Sequence, residues 1–232
     1  MKSFLALSAL AFVSALPEYP SFLGLSPLQQ GWPSLNMPKN FRVFIDFNLL
    51  NETTGQLELW REAHSYQQVD SDGNRELTAI IYTLDNQTTR NESYYFNCST
   101  GTVTKIVPEL QFCQYIETNI TLDLGAYIER ATDPDGGITT YLGEVQLPYA
   151  EGTYYHFQQL QLTDGQSKVQ QQYWNKESGS LNYITNEGSP FVFSTRGLIP
   201  TTFSWQDYIG FDDCYGYSSG PVLSDTTPFF FI

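Results

Sequence analysis

The chain has 232 residues, 25 of them acidic and 11 basic, for a formal net charge of −14. A field of that sign repels nucleic acid and anionic lipid headgroups, so neither is an expected partner. Aromatic and charged residues each make up 16% of the chain, which points to a core of packed Phe, Tyr and Trp rather than to surface ion networks.

Residues 1–15 read as a signal peptide. Met1-Lys2-Ser3 leads into an apolar stretch from Phe4 to Val13, and Val13-Ser14-Ala15 supplies the small residues that signal peptidase requires. The stretch is about half the roughly 20 residues of a membrane-spanning helix, and Pro17 and Pro20 close it. The expected location is therefore secreted and extracellular, with no membrane span. Cleavage after Ala15 removes Lys2, leaving 10 basic against 25 acidic residues and a charge of −15. Residues 16–39 hold Pro17, Pro20, Pro27, Pro33 and Pro38, which suit an irregular N-terminal arm.

From residue 40 to 214 the pattern is that of a single all-β domain. Phe41, Val43, Ile45, Phe47 and Leu49 alternate with Asn40, Arg42, Asp46 and Asn48, with Phe44 the exception. Leu77, Ala79 and Ile81 repeat the signature, as do Leu122, Leu124, Ala126 and Ile128, so both segments are expected to be strands with these side chains inward. Tyr141, Val145 and Leu147 continue the series. In Tyr155, Phe157, Leu160 and Leu162 the apolar parity switches, predicting a bulge between Phe157 and Leu160. Turn signals at Asp70 to Asn74, Asp133 to Gly137, Thr163 to Gly165 and Asn175 to Gly179 separate the strands. Short strands so spaced predict curved antiparallel sheets forming a half-barrel or sandwich around a hydrophobic core or cavity. Residues 215–232 form a C-terminal tail whose Phe229 to Ile232 run is too short for a lipid-anchor signal.

Five sequons, at Asn51, Asn86, Asn91, Asn97 and Asn119, agree with the signal peptide in marking a glycoprotein. In an oxidising compartment two of the three cysteines should pair. Cys98 with Cys113 is the local choice, leaving Cys214 over, and Cys98 with Cys214 is the rival.

No catalytic motif stands out, so the chain is not expected to be an enzyme. Gly216-Tyr217-Ser218-Ser219-Gly220 has the letters of a nucleophile elbow, but both histidines, His64 and His156, lie upstream of it. Asp70-x-Asp72-x-Asn74 begins like a calcium loop, yet position six is Arg75 and position twelve Ile81, so a hairpin turn explains it better. No pair of acids is singled out for glycoside hydrolysis.

Tyr94-Tyr95-Phe96-Asn97-Cys98-Ser99-Thr100-Gly101, Pro108, Ile116-Glu117-Thr118-Asn119-Ile120-Thr121 and Leu124-Gly125-Ala126-Tyr127-Ile128 resemble the middle of ependymin-related secreted glycoproteins. The closing Thr202-Phe203-Ser204-Trp205-Gln206-Asp207-Tyr208-Ile209-Gly210-Phe211-Asp212-Asp213-Cys214 is similar to that family's ending. The resemblance spans about Asn40 to Cys214. It implies a half-barrel like the bacterial lipoprotein carriers, a homodimer, an apolar small molecule or lipid in the cavity, and a calcium link placed at Asp212 and Asp213. The family carries more cysteines at other places, so its disulfide scheme does not transfer. No other cofactor is expected.

The leading expectation is a secreted protein holding an apolar ligand, with Tyr127, Tyr141, Tyr155 and Tyr173 lining the cavity. The alternative is a structural or adhesion glycoprotein that binds proteins or carbohydrate, and the third is a carboxylate-based glycosidase. The first predicts a deep apolar cavity, the second a filled core with exposed aromatic patches, and the third two close carboxylates in a cleft.

Overall fold

The computed structural model describes residues 31–219, apart from 36, 52, 86, 118–120, 164–165, 212–213 and 215–217. In chain order the elements are β1 (Asn40–Asn51), β2 (Gln56–Asp70), β3 (Arg75–Thr83), β4 (Thr89–Asn97), β5 (Thr102–Val107), β6 (Phe112–Glu117), α1 (Leu124–Thr132), β7 (Thr139–Val145), β8 (Tyr154–Thr163), β9 (Gln166–Asn175), β10 (Leu181–Asn186), β11 (Phe191–Thr195), β12 (Ile199–Pro200) and β13 (Ser218–Ser219). The strands form one sheet in the order β13-β6-β5-β4-β3-β2-β1-β11-β10-β9-β8-β7, and β12 adds to β1. Pairing is antiparallel except between β13 and β6. The sheet is all-β in class, curved and not closed.

The curl follows from what α1 touches. Within its first turn the Leu124 N–H donates to Asn74 Oδ1 beside β3 at 2.8 Å, and the Tyr127 hydroxyl accepts from Gln159 Nε2 of β8 at 2.6 Å. β3 and β8 are six strand steps apart, about 29 Å in a flat sheet, while one helical turn rises about 5 Å. The sheet must bend around the helix for both bonds to form. Phe96 and Val103 from one half then join Phe157 and Trp174 from the other in a single core with Leu124 and Ile128. Trp32, Leu35 and Met37 of the arm pack against the same core.

The β1 alternation is found as read from Phe41 to Phe47, with Phe41, Val43, Ile45 and Phe47 buried and Phe44 outward, but it ends there: Asn48 is buried and Leu49 only half-buried. Three other readings are corrected. Residues 124–132 are a helix, not a strand; Leu124, Ile128 and Ala131 are its buried residues, with Asp123 Oδ1 capping it by accepting from Ala126 N. A step of four fits both a strand and a helix, so Leu124 and Ile128 cannot separate them, and only the seven-residue step to Ala131 is helical. On β3 the inward side is Glu76, Thr78 and Ile80, while Leu77 packs on the opposite face and Ile81 is exposed. β8 pairs with β9 without a break, because the buried residue two after Phe157 is Gln159. The irregularity lies in the partner, β7, between Tyr141 and Gly143.

A larger bulge interrupts β2. Between the pairs Asp46 with His64 and Asn48 with Leu59, four β2 residues face the single Phe47, and Arg61 and Glu62 take up positive φ. Trp60, thrown out by this loop, closes over Phe191 at 5.0 Å between ring centroids.

The disulfide joins Cys113 to Cys214 and leaves Cys98 as a buried thiol. Neither expected pairing of Cys98 forms, because Cys98 lies on the core side with Phe96 and Val103. Cys113 instead anchors a strap that leaves β12 and crosses the outer face of the sheet. Phe203, Tyr208 and Phe211 of that strap pack on Leu77 and Tyr95.

Candidate functional site

Of the four tyrosines expected around a cavity, three lie at the core and one does not. Tyr127, Tyr141 and Tyr155 pack against the main cluster. Tyr141 lies 5.0 Å from Phe157 and 6.2 Å from Tyr155, and Trp32 closes on Tyr141 and Phe157 at 6.4 and 5.0 Å. Tyr173 is on the outer face, stacked on His156 at 4.8 Å. Where α1 and the arm meet the sheet, Met37, Phe41, Trp174 and Leu181 enclose a space of about 10 Å³. That is room for about one water molecule and not for a lipid chain.

The inner face is polar to a degree the alternation did not announce. Gln159, Gln170, Gln172 and Trp174 bond to one another in a chain: Gln172 Nε2 donates to Gln159 and Gln170, and Trp174 Nε1 donates to Gln172. On β4 and β5, Lys105 Nζ meets Glu92 at 3.0 Å, and the hydroxyls of Tyr82 and Tyr94 donate to the same carboxylate. Burial alone would raise the Glu92 carboxyl, but the Tyr94 hydroxyl and the Lys105 ammonium together hold it below its ordinary value. Burial and that adjacent carboxylate push Tyr82 up to about 12.

Glu76 is the opposite case. It is fully buried, and Gln67 Nε2 at 2.5 Å and Thr78 Oγ1 at 3.0 Å donate to one of its oxygens. Its other oxygen and Gln67 Oε1 find no partner among the described residues. Among the described residues no cation pairs with it, and burial outweighs both bonds and raises the carboxyl to about 8. The Cys98 thiol is likewise pushed up, by burial and then by the Glu76 charge, so it is an inert rather than a nucleophilic thiol.

The other expected sites are scattered. Asn51 ends β1, its side-chain oxygen accepting from Thr53 N and Thr54 N and its amide donating to Glu58. Asn97 ends β4 and accepts from Thr100 N. Asn91 sits within β4 opposite Ile81, its side-chain oxygen buried. Asn86, Asn119, Asp212 and Asp213 lie outside the described residues. Asp70 is occupied by Arg75 Nε and Gly73 N, and Asp72 by Asn40. Among the described residues no group of three or more His, Cys, Asp or Glu side chains could hold a metal ion.

The surface the sequence reading missed is centred on Arg42. Its guanidinium reaches Asp207 at 3.5 Å and lies 5.3 Å from the Phe203 ring centroid. Asp207 is fixed by the strap's 3-10 turn, Trp205–Tyr208, where it accepts from Ser204 N at 2.7 Å and Ser204 Oγ at 3.0 Å. The Ser204 backbone bond first, and Arg42 after it, hold the Asp207 carboxyl below its ordinary value. Ile199 of β12 pairs directly with Arg42, and Phe44 is the next outward residue on β1, 5.0 Å from Tyr66. Trp205 is 67% exposed, Ile209 62%, Ile199 44% and Phe44 41%. Two exposed apolar side chains, Trp205 and Ile209, thus lie on the strap that carries Asp207, and two more, Phe44 and Ile199, lie on β1 and β12 beside Arg42. Ile199, Trp205 and Ile209 fall where periodicity is silent, which is why no pattern marked them.

No model of a known protein family matches the chain, and no curated protein matches it. The geometry carries the functional argument.

Proposed function

We propose that this chain is an extracellular recognition protein that binds a partner protein through the Arg42-centred patch. The observation that carries this reading is the exposure of Trp205 and Ile209 on a strap whose Phe203, Tyr208 and Phe211 pack on the sheet. Trp, Phe and Arg are enriched in protein interfaces, and exposed aromatic and apolar side chains beside a charged pair are what a partner would cover on docking. The Cys113–Cys214 bond supports an oxidising location. The space where α1 and the arm meet the sheet, about 10 Å³, has no room for a lipid chain at that place, which supports this reading over an apolar-ligand carrier.

The test is binding of the purified full chain to an array of extracellular proteins, with Trp205→Ala and Ile209→Ser as probes. At least one partner should be retained, and each substitution should weaken it about tenfold or more, a loss of at least about 1.4 kcal/mol, with an unchanged melting temperature. Retention unaffected by either substitution would rule the patch out. Saturable uptake of a fatty acid by the native protein would restore the carrier reading.

A further inference from the structure

The arm ahead of β1 covers the core without joining the sheet. Trp32, Leu35 and Met37 pack against the main cluster. Among the described residues, however, the hydrogen bonds of the chain begin only at Lys39, whose carbonyl accepts from Ser71 Oγ, and at Asn40, whose carbonyl accepts from Thr201 N. The first ion pair is also at Lys39, with Glu129. Pro33 and Pro38 have no N–H to donate. Three side chains therefore hold the segment ahead of Lys39, and a segment with few apolar contacts and no backbone ladder opens far below the free energy of global unfolding.

What the arm covers is built differently. Trp32 stands edge-on to Phe157 at 5.0 Å and 67°, and to Tyr141 at 6.4 Å and 62°. Leu35 and Met37 meet Phe41, Trp174 and Leu181 around the space of about 10 Å³. Phe41, Phe157, Trp174 and Leu181 are buried on β1, β8, β9 and β10, strands bonded to their neighbours along most of their length. This floor stays in place when the arm lifts, and an apolar groove opens above it. No charged side chain lines that space, where Thr132 and Gln172 are the polar residues.

We propose that the arm is a displaceable plug over a binding site for a neutral aromatic small molecule. Trp32 itself shows the chemistry the slot accepts, an indole ring set edge-on against Phe157 and Tyr141. Apolar walls with a few polar groups are the usual make-up of a small-molecule site. A ligand that competes with the chain's own side chain binds more weakly in proportion to the fraction of time the site is open. A segment that only padded the core would leave it when the core unfolds and not before. The site is separate from the Arg42 patch and does not rest on it.

The experiment is fluorine NMR of the full chain labelled with fluorotryptophan, the Trp32 signal being assigned by its loss in Trp32→Phe, during titration with unlabelled indole to ~5 mM, beyond millimolar affinity. The Trp32 signal should move saturably toward its position in the unfolded chain, while that of Trp205 stays where it is. Calorimetry of Trp32→Ala, whose slot is already vacated, should show indole binding at least about tenfold tighter than to wild type. The wild-type titration decides the matter if Trp32→Ala does not fold. A Trp32 signal that indole leaves in place overturns the proposal, because the arm is then a fixed part of the core. Movement of Trp205 alone overturns it as well, by placing indole on the outer patch. Binding to folded Trp32→Ala no tighter than to wild type does the same.

Discussion

Replacing Glu76 by glutamine tests the account of the inner face most directly. In the unfolded chain this carboxyl titrates near its ordinary 4.5, and in the folded protein burial raises it to about 8. A raised carboxyl keeps its proton in the native state after the unfolded chain has released its own, so stability falls as pH rises between the two values. Below about pH 4.5 Glu76 has no cost, and above about pH 8 the cost is complete. At about 1.4 kcal/mol per pH unit, the whole window is worth about 5 kcal/mol, of which about 3 kcal/mol is reached at pH 7. Glutamine has the same shape, keeps an oxygen to accept from Gln67 and Thr78, and cannot ionise. Urea unfolding of wild type and Glu76→Gln, measured between pH 4.5 and 8.5, should give curves that coincide at the acid end and diverge steadily toward the alkaline end. The variant should be the more stable by about 4 kcal/mol at pH 8. Parallel curves across that range would refute the reasoning, because they would place Glu76 in water or beside a cation.

Three further substitutions test other parts of the fold. Cys214→Ser removes a crosslink spanning 101 residues, which should lower stability by about 4 to 5 kcal/mol in thermal melts and expose the Phe203 to Phe211 strap to limited proteolysis. Asp123→Ala removes the cap of α1 and should cost about 1 kcal/mol in denaturant unfolding, against no measurable change if α1 were a strand. Lys105→Met leaves Glu92 buried without its cation and should cost about 3 to 5 kcal/mol. In the wild type the lowered Glu92 carboxyl contributes stability that is present above its unfolded value and is lost as pH falls through its folded one. The variant should therefore lose that acid-side dependence in the same unfolding series.

The strand alternation of β1 and the turn at Asp70 to Asn74 were legible because they depend on local chemistry. Phe41, Val43, Ile45 and Phe47 share one face through the two-residue period of any strand, and Asp, Gly and Asn favour tight turns wherever they occur. The all-β class followed from the same period. Tertiary structure decided everything that required two distant segments to meet. Leu124 and Ile128 are compatible with either period, and the helix is selected by Asp123 at its cap and Asn74 beneath its first amide. Glu76, Thr78, Gln159 and Gln172 face inward because the curled sheet pairs them with Gln67, Tyr127 and Trp174, against the rule that polar side chains turn to water. Cys113 finds Cys214 because the strap after β12 recrosses the sheet. The Arg42 patch exists only because that strap brings Trp205 and Asp207 to a strand more than 160 residues earlier in the chain. Local patterns record which way a side chain points along its own strand; which residues it faces is set by sheet order and curvature, and these are properties of the whole chain.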